Sequence, residues 1–254
     1  MELTEMLWMV YVFFIGLFFG SFFNVVGIRI PEHRTLLGRS HCPNCNRTLG
    51  AIELIPVVGY LVLRGKCKQC ESKISIQYPL MELLTGLLFA FTYWMLHDQL
   101  IEMFLVLSFV SLLIIVTISD LYYRIVPDVV LLVFLPILLT LRLISPAMPW
   151  YEGLIGAALG FLFMYVMSVY GKKRFGKEAL GGGDIKLYGL IGLVLGFNTV
   201  FLSVLFAGLS GLIYYAIFRP KGSYLPFVPF IAFGSIVTYF YGPSIVDWYV
   251  SIFL

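Results

Sequence analysis

Charge is what this sequence has least of. Lysine, arginine, aspartate and glutamate make up 12% of its 254 residues, where soluble domains carry about 25%. So little charge, with so much apolar content, excludes both a disordered chain and an ordinary cytosolic globule. The residues that most often announce catalysis are scarce too, with three histidines and four cysteines in all. There is no G-x-S-x-G serine elbow and no H-E-x-x-H zinc helix. No nucleic-acid-binding motif, coiled-coil heptad or internal repeat occurs, and the basic residues form no sequence-reading element, so no nucleic acid is expected to bind directly. The first apolar run lacks the basic start and small-residue cleavage site of a signal peptide. It therefore reads as a retained span.

What is present is hydrocarbon. Hydrophobic residues make up 60% of the chain, in runs of the length that crosses a bilayer, about 17–25 residues. They lie at 7–28, 79–96, 101–119, 126–144, 153–170, 185–218 and 226–254. The sixth run is too long for one helix and breaks naturally at Gly196-Phe197-Asn198, which gives seven or eight spans. The positive-inside rule decides between them. With eight spans, Arg142 alone lies on one side. The other sixteen of the seventeen Lys and Arg, from Arg29 through the 34–73 segment, Arg124, 172–177 and Lys186 to Arg219 and Lys221, share the opposite face. The expectation is an all-α, multi-pass protein of the cell membrane with eight transmembrane helices and both termini outside. It divides into a first transmembrane helix (1–29), a cytoplasmic insertion (30–77) and a seven-helix core (78–254).

All four cysteines fall in that insertion, as C-P-N-C (Cys42, Cys45) and C-K-Q-C (Cys67, Cys70). Two C-x2-C pairs offer four thiolates for a tetrahedral zinc. A reducing cytoplasm disfavours the alternative of two disulfides. Four sulfur ligands leave no open position, so the metal is structural, in a small zinc-ribbon-like insertion. His33 and His41 lie in loops near the knuckles and read as solvated, and His97 lies outside.

Sorting the carboxylates by depth leaves four at the inner membrane boundary: Glu82, Asp120, Asp128 and Asp184. Asp120 closes the third span, and Asp184, in GGGDIK, opens the sixth. Ionisable groups there are expensive and mark function. Each has a simpler explanation alone: Asp184 as a helix cap, Asp120 paired with Arg124 one turn on, and Asp128 as first-turn chemistry after Pro127. Together, Asp120 and Asp184 make a pair of carboxylates in which one holds a proton and the other does not, a general acid and a general base for amide hydrolysis. The glycines at 181–183 would let an extended substrate strand approach Asp184. A transporter or channel with a zinc-stabilised insertion is the alternative, but the span middles are nearly free of charge.

The chain resembles the type IV prepilin peptidases, most closely the Gram-positive branch serving competence pili. The resemblance runs through GSFFNVVGIRIP (20–31), the two cysteine pairs, YPLMELLTG (78–86), SDLYYRIVPD (119–128), GGGDIKL (181–187) and PFVPFIAFG (226–234). It implies an intramembrane-type aspartic endopeptidase whose paired aspartates match Asp120 and Asp184. Such an enzyme cleaves prepilins and pseudopilins after a glycine at the cytoplasmic membrane face, for pilus assembly and DNA uptake. It also implies N-methylation of the new terminus with S-adenosylmethionine. No residue is assigned to that methyl donor. Glu53 and Glu82 are candidates, with a loop ion pair or helix-end role as the alternative. Two positions depart from the family pattern: Val228-Pro229 stands for a glycine-proline step, and Gln77 for an arginine.

Overall fold

A computed structural model describes residues 3–176, 181–219 and 225–253. Lys177 and Lys221, two of the cations used above to orient the chain, lie outside the described residues. Among the described residues the fold is helical, without strands. Its helices are α1 (Leu3–Arg29), the short α2 (Val58–Val62), α3 (Gln77–Leu96), α4 (Leu100–Tyr123), α5 (Asp128–Ile144), α6 (Trp150–Phe175), α7 (Gly182–Leu195), α8 (Val200–Phe218) and α9 (Val228–Phe253). Six of them, α1, α3, α4, α6, α8 and α9, are long and apolar enough to cross a membrane. The remaining long ones fall short, α5 at 17 residues and α7 at 14. The over-long sixth run does break where its glycine and asparagine stand, with α7 ending at Leu195 and α8 starting at Val200.

The helices fall into two compact units, Met1–Met103 and Phe104–Leu254. In the first, α1 and α3 pack antiparallel through small residues. A Cβ on Gly16 would lie 2.8 Å from the Cα of Gly86, and one on Gly20 would lie 2.8 Å from that of Glu82. In lipid no hydrophobic force drives helices together, so close backbone approach through such notches supplies the packing. The cysteine-bearing insertion stands between these helices and meets α3 at one defined point. Val57 adopts φ 62°, ψ −50°, the positive-φ geometry of a γ-turn, which is rare and strained, the more so for a β-branched residue. The N–H of Val58 closes a tight turn onto the carbonyl of Pro56 at 2.6 Å. The N–H of Val57 donates at 2.7 Å to Glu82 Oε2, a carboxylate buried in the first turns of α3. Ser21 of α1 supports the same carboxylate, and nearby Asn24 donates its Nδ2 to the carbonyl of Tyr78 at 3.2 Å.

In the second unit α4 is the most buried helix, with residues 109–120 all buried. Most residues of α7 are buried too, against α5, α6, α8 and α9. α7 is the helix whose packing is closest. It runs antiparallel to α6 along a glycine stripe. Cβ atoms on Gly153 and Gly160 would lie 2.7 and 2.6 Å from the carbonyl oxygens of Leu193 and Tyr188, and Gly156 and Gly192 meet backbone to backbone. Gly234 of α9 fits in the same way against Ala207 and Ser203 of α8. α5 lies parallel to α7 and is tied to it at both ends. Lys186 Nζ donates to both Asp128 oxygens at 2.8 and 2.7 Å. At the far end, Arg142 Nη2 donates to the carbonyl of Val194 at 3.0 Å. Arg142, the one cation assigned to the outer side, is therefore a buried group satisfying the C-terminal carbonyls of α7, where a cation also suits the helix dipole. This alternation of helix directions gathers the end of α4 and the starts of α5, α7 and α9 at one end of the unit.

Candidate active site and metal centre

At that end Asp120 occupies the last turn of α4 and Asp184 the first turn of α7. Asp184 is the third residue of its helix, and Gly181 is the N-cap. The Asp184 N–H donates to the Gly181 carbonyl at 3.1 Å, while the Asp184 carboxylate reaches back toward the Gly181 N–H. This is half of a capping box, so the helix-cap role expected of Asp184 is present, and it leaves room for a site role in the same residue. The two carboxylates lie within electrostatic reach of each other. Asp120 is buried, at 6% exposure, and its Oδ2 accepts the N–H of Val228 at 3.0 Å. Arg124, in the left-handed position that ends α4 (φ 57°), acts electrostatically on the same carboxylate. The three glycines before Asp184 are not equivalent. A Cβ on Gly183 would lie 2.7 Å from Cβ of Val126, whereas one on Gly182 would meet nothing within 4 Å. Packing requires glycine at 183 but not at 182. Asp128 starts α5 as expected and adds the ion pair with Lys186, a contact across 58 residues that nothing in the sequence announces.

The four cysteines also converge. All are free thiols, and their sulfur atoms lie within 4.8 Å of one another. Cys42 and Cys70 approach to 3.8 Å, Cys45 and Cys67 to 3.9 Å. A tetrahedral zinc with Zn–S near 2.3 Å sets sulfur atoms about 3.8 Å apart, while a disulfide needs about 2.05 Å. The donor set therefore fits zinc. Each pair sits in the same knuckle. The Cys42 N–H donates to the Arg47 carbonyl and the Cys67 N–H to that of Ser72, each at 2.9 Å. Asn46 and Glu71 are both left-handed at φ 54°, and single bridges His41–Thr48 and Lys66–Lys73 close the two turns. Residues 41–48 and 66–73 are thus one structural unit used twice, a repeat hidden because only the cysteines recur in sequence. Asn44 Nδ2 donates to the Cys70 sulfur at 3.6 Å and the Ser72 hydroxyl lies 3.1 Å from it, contacts that orient a metal ligand. His41 belongs to its bridge and His33 to an exposed loop. His97 pairs with Asp98 at 3.6 Å.

Both glutamates considered for the methyl donor are engaged within the fold. Glu53 holds Arg47 through contacts of 2.6 and 3.1 Å and accepts the Gly50 N–H at 2.6 Å. The Arg47 guanidinium and that N–H keep its carboxyl below the ordinary carboxylate range. Glu82 holds Val57.

Residues 14–96 match the family described as the bacterial peptidase A24 N-terminal domain, and residues 107–216 match the type IV leader peptidase family. A prepilin leader peptidase/N-methyltransferase of Bacillus subtilis is 43% identical over 95% of this chain and 98% of its own length. The chain belongs to the type IV leader peptidase family. Proteins of the same description from Myxococcus xanthus and Neisseria gonorrhoeae are 38% and 30% identical, over 81% and 93% of this chain and 61% and 93% of their own lengths. No solved structure matches. Of the two departures from the family pattern, Val228 has a physical account. It meets Asp120 through its main-chain N–H, which valine supplies as well as glycine. Nothing in the structure explains Gln77.

Proposed function

We propose that this member of the family is the prepilin peptidase its relatives are named for, with Asp120 and Asp184 as the catalytic pair. The observation that carries the reading is the placement of two carboxylates, one closing α4 and one opening α7, within electrostatic reach of each other at one end of an otherwise apolar bundle. A water between them loses its proton to one carboxylate as its oxygen attacks the scissile carbonyl, while the other carboxylate protonates the carbonyl oxygen. Collapse of the tetrahedral intermediate breaks the C–N bond, and the first carboxylate returns its proton to the departing amine. A leader ending in glycine leaves, and the hydrophobic helix keeps the new N-terminus. The substrate strand passes Gly182, whose Cβ direction is empty, beside Asp184.

The relatives' joint name assigns a second step, methylation of that amine, for which S-adenosylmethionine would supply the methyl group. Glu53 and Glu82, the two residues considered for that group, are both taken up by contacts within the fold. Zinc is held by Cys42, Cys45, Cys67 and Cys70 and organises residues 30–77 as a module between the first helix (1–29) and a seven-helix core (78–254). Eight spans place the module and the dyad on the cytoplasmic side and both termini outside. The position of the tryptophans supports membrane insertion of α1, α3, α6 and α9. Trp8 and Trp94 lie at the ends of α1 and α3 away from the insertion, Trp150 and Trp248 at the ends of α6 and α9 away from the dyad, and all four are more than half exposed. Tryptophan gathers at membrane interfaces in this way. The substrates are prepilins and pseudopilins of a competence-type pilus that serves DNA uptake.

The test is mass spectrometry of a prepilin incubated with purified enzyme. Asp120→Asn and Asp184→Asn, each folded and inserted, are expected to leave the leader attached. Cleavage at the normal rate by either variant would overturn the dyad.

A further inference from the structure

Asp120 is held in a way that Asp184 is not. The first N–H groups of a helix have no partner inside it and are normally satisfied by a polar side chain just upstream. The residues before α9 are Leu225, Pro226 and Phe227, none of which carries a side-chain acceptor. The acceptor comes instead from α4. Asp120 Oδ2 takes the Val228 N–H at 3.0 Å, and the Phe227 N–H faces the same carboxylate. Pro226 and Pro229 bracket these two residues, and proline has no N–H. Phe227 and Val228 therefore supply the amides that the Pro-Phe-Val-Pro segment has to offer. The contact is dry, since Val228 is fully buried and Asp120 nearly so. The turn is anchored by the Phe230 and Ile231 N–H groups on the Phe227 carbonyl, and the helix by the seat of Gly234 on α8. The other charged groups that act on Asp120 are Arg124 and Asp184.

We propose that the paired main-chain N–H groups of Phe227 and Val228 are positioning groups of the peptidase, fixing one oxygen of Asp120 so that the other faces the catalytic water and Asp184. This rests on the dyad reading. It makes residue 228 tolerant of any side chain that fits and intolerant of losing its N–H. It also couples the α8–α9 connection to the catalytic carboxylate through one hydrogen bond.

The experiment replaces valine 228 by its α-hydroxy analogue, which turns the amide into an ester and deletes the N–H while keeping the side chain. Val228→Pro does the same genetically, since proline is compatible with the first position of a helix. Val228→Ala keeps the N–H and serves as the control. Purified enzymes in lipid nanodiscs are compared on a full-length prepilin, with fold read by thermal unfolding. The ester is expected to lower kcat roughly 10–100-fold, the factor associated with a hydrogen bond to a charged group, with KM unchanged. Val228→Ala, which keeps the N–H but truncates a fully buried side chain, is expected to lose thermal stability while keeping more of its kcat than the ester does. An ester variant with wild-type kcat would overturn the proposal, and so would one that loses activity only through KM, because the amides would then be contacting substrate. Should Val228→Pro fail to fold, the ester decides. The dyad reading is tested separately: an inactive Asp120→Asn beside an unaffected ester sinks the positioning role alone, whereas an active Asp120→Asn sinks the dyad.

Discussion

An asparagine at position 120 keeps an oxygen that can accept from Val228, whereas an alanine does not. On the proposed dyad both substitutions remove the chemistry, but only the second uncaps α9. Asp120→Ala is therefore expected to be less stable than Asp120→Asn by about 1 kcal/mol, the size of a lost helix cap. Thermal unfolding in the same detergent measures the difference, and equal stability would show that Asp120 contributes nothing to holding α9. Glu82 makes a parallel case. It accepts the N–H of a valine held at φ 62°, and strained residues persist only where their surroundings over-determine them. Glu82→Ala is expected to release the turn at residues 56–58 at a cost of about 1–3 kcal/mol, while Glu82→Gln, which keeps an acceptor, costs less. Limited proteolysis between Gly50 and Lys66 reads the release. The side chains with obvious chemistry, the four cysteines and the two aspartates, stood out in the sequence because thiolates and carboxylates are rare in so apolar a chain. The Val228 amide and the Val57 turn did not, because backbone geometry leaves no mark in residue type.

The helices were legible as elements because each is a hydrophobic run, and the break between α7 and α8 because glycine and asparagine interrupt one. The burial of α4 was legible, since it is the most apolar of the spans, but that of α7 was not, since α7 is no more apolar than its neighbours. What distinguishes α7 is the glycine stripe of α6 that lets it approach, at Gly153, Gly156 and Gly160. Sequence spacing hints at such a stripe but does not name its partner. A side chain at Gly192 would fall on the backbone of Gly156. Gly192→Ala is expected to push α6 from α7 and cost roughly 1–3 kcal/mol, as overpacking does. Gly208→Ala, in open space on α8, is expected to be neutral or stabilising by up to about 1 kcal/mol from helix propensity. Between these extremes stands Gly182. Its Cβ direction is empty, so Gly182→Val folds normally, but it puts a branched side chain beside Asp184 where the substrate strand is expected to run. The expected result is an unchanged melting temperature with KM for prepilin raised severalfold. A variant with wild-type KM would place the strand elsewhere.

For the whole molecule, the metal and the membrane set the constraints. The two knuckles at 41–48 and 66–73 have a small core, and a structural zinc ordinarily supplies the folding energy of such a module. Metal analysis is expected to find about one zinc per chain, lost together in Cys42→Ser and Cys67→Ser, with Glu82 then losing the ordered turn it holds. A metal-free protein of normal stability would remove zinc from the account. The number of spans depends on α7. At 14 residues it is about 21 Å long, shorter than the roughly 30 Å of a bilayer core. Its far end is nevertheless polar. Arg142 meets the Val194 carbonyl there, and Asn198 Nδ2 lies 3.5 Å from a Glu152 oxygen. A polar rim at that depth is expected where water reaches inward to meet a short helix, with the bilayer thinned to match. Asn198→Cys in intact cells should therefore react with a membrane-impermeant maleimide, as should a cysteine placed at Ala147, while one at Arg174 should react only after permeabilisation. If Asn198→Cys stays protected until the membrane is opened, α7 and α8 do not reach the outer surface as a pair, and eight spans become fewer.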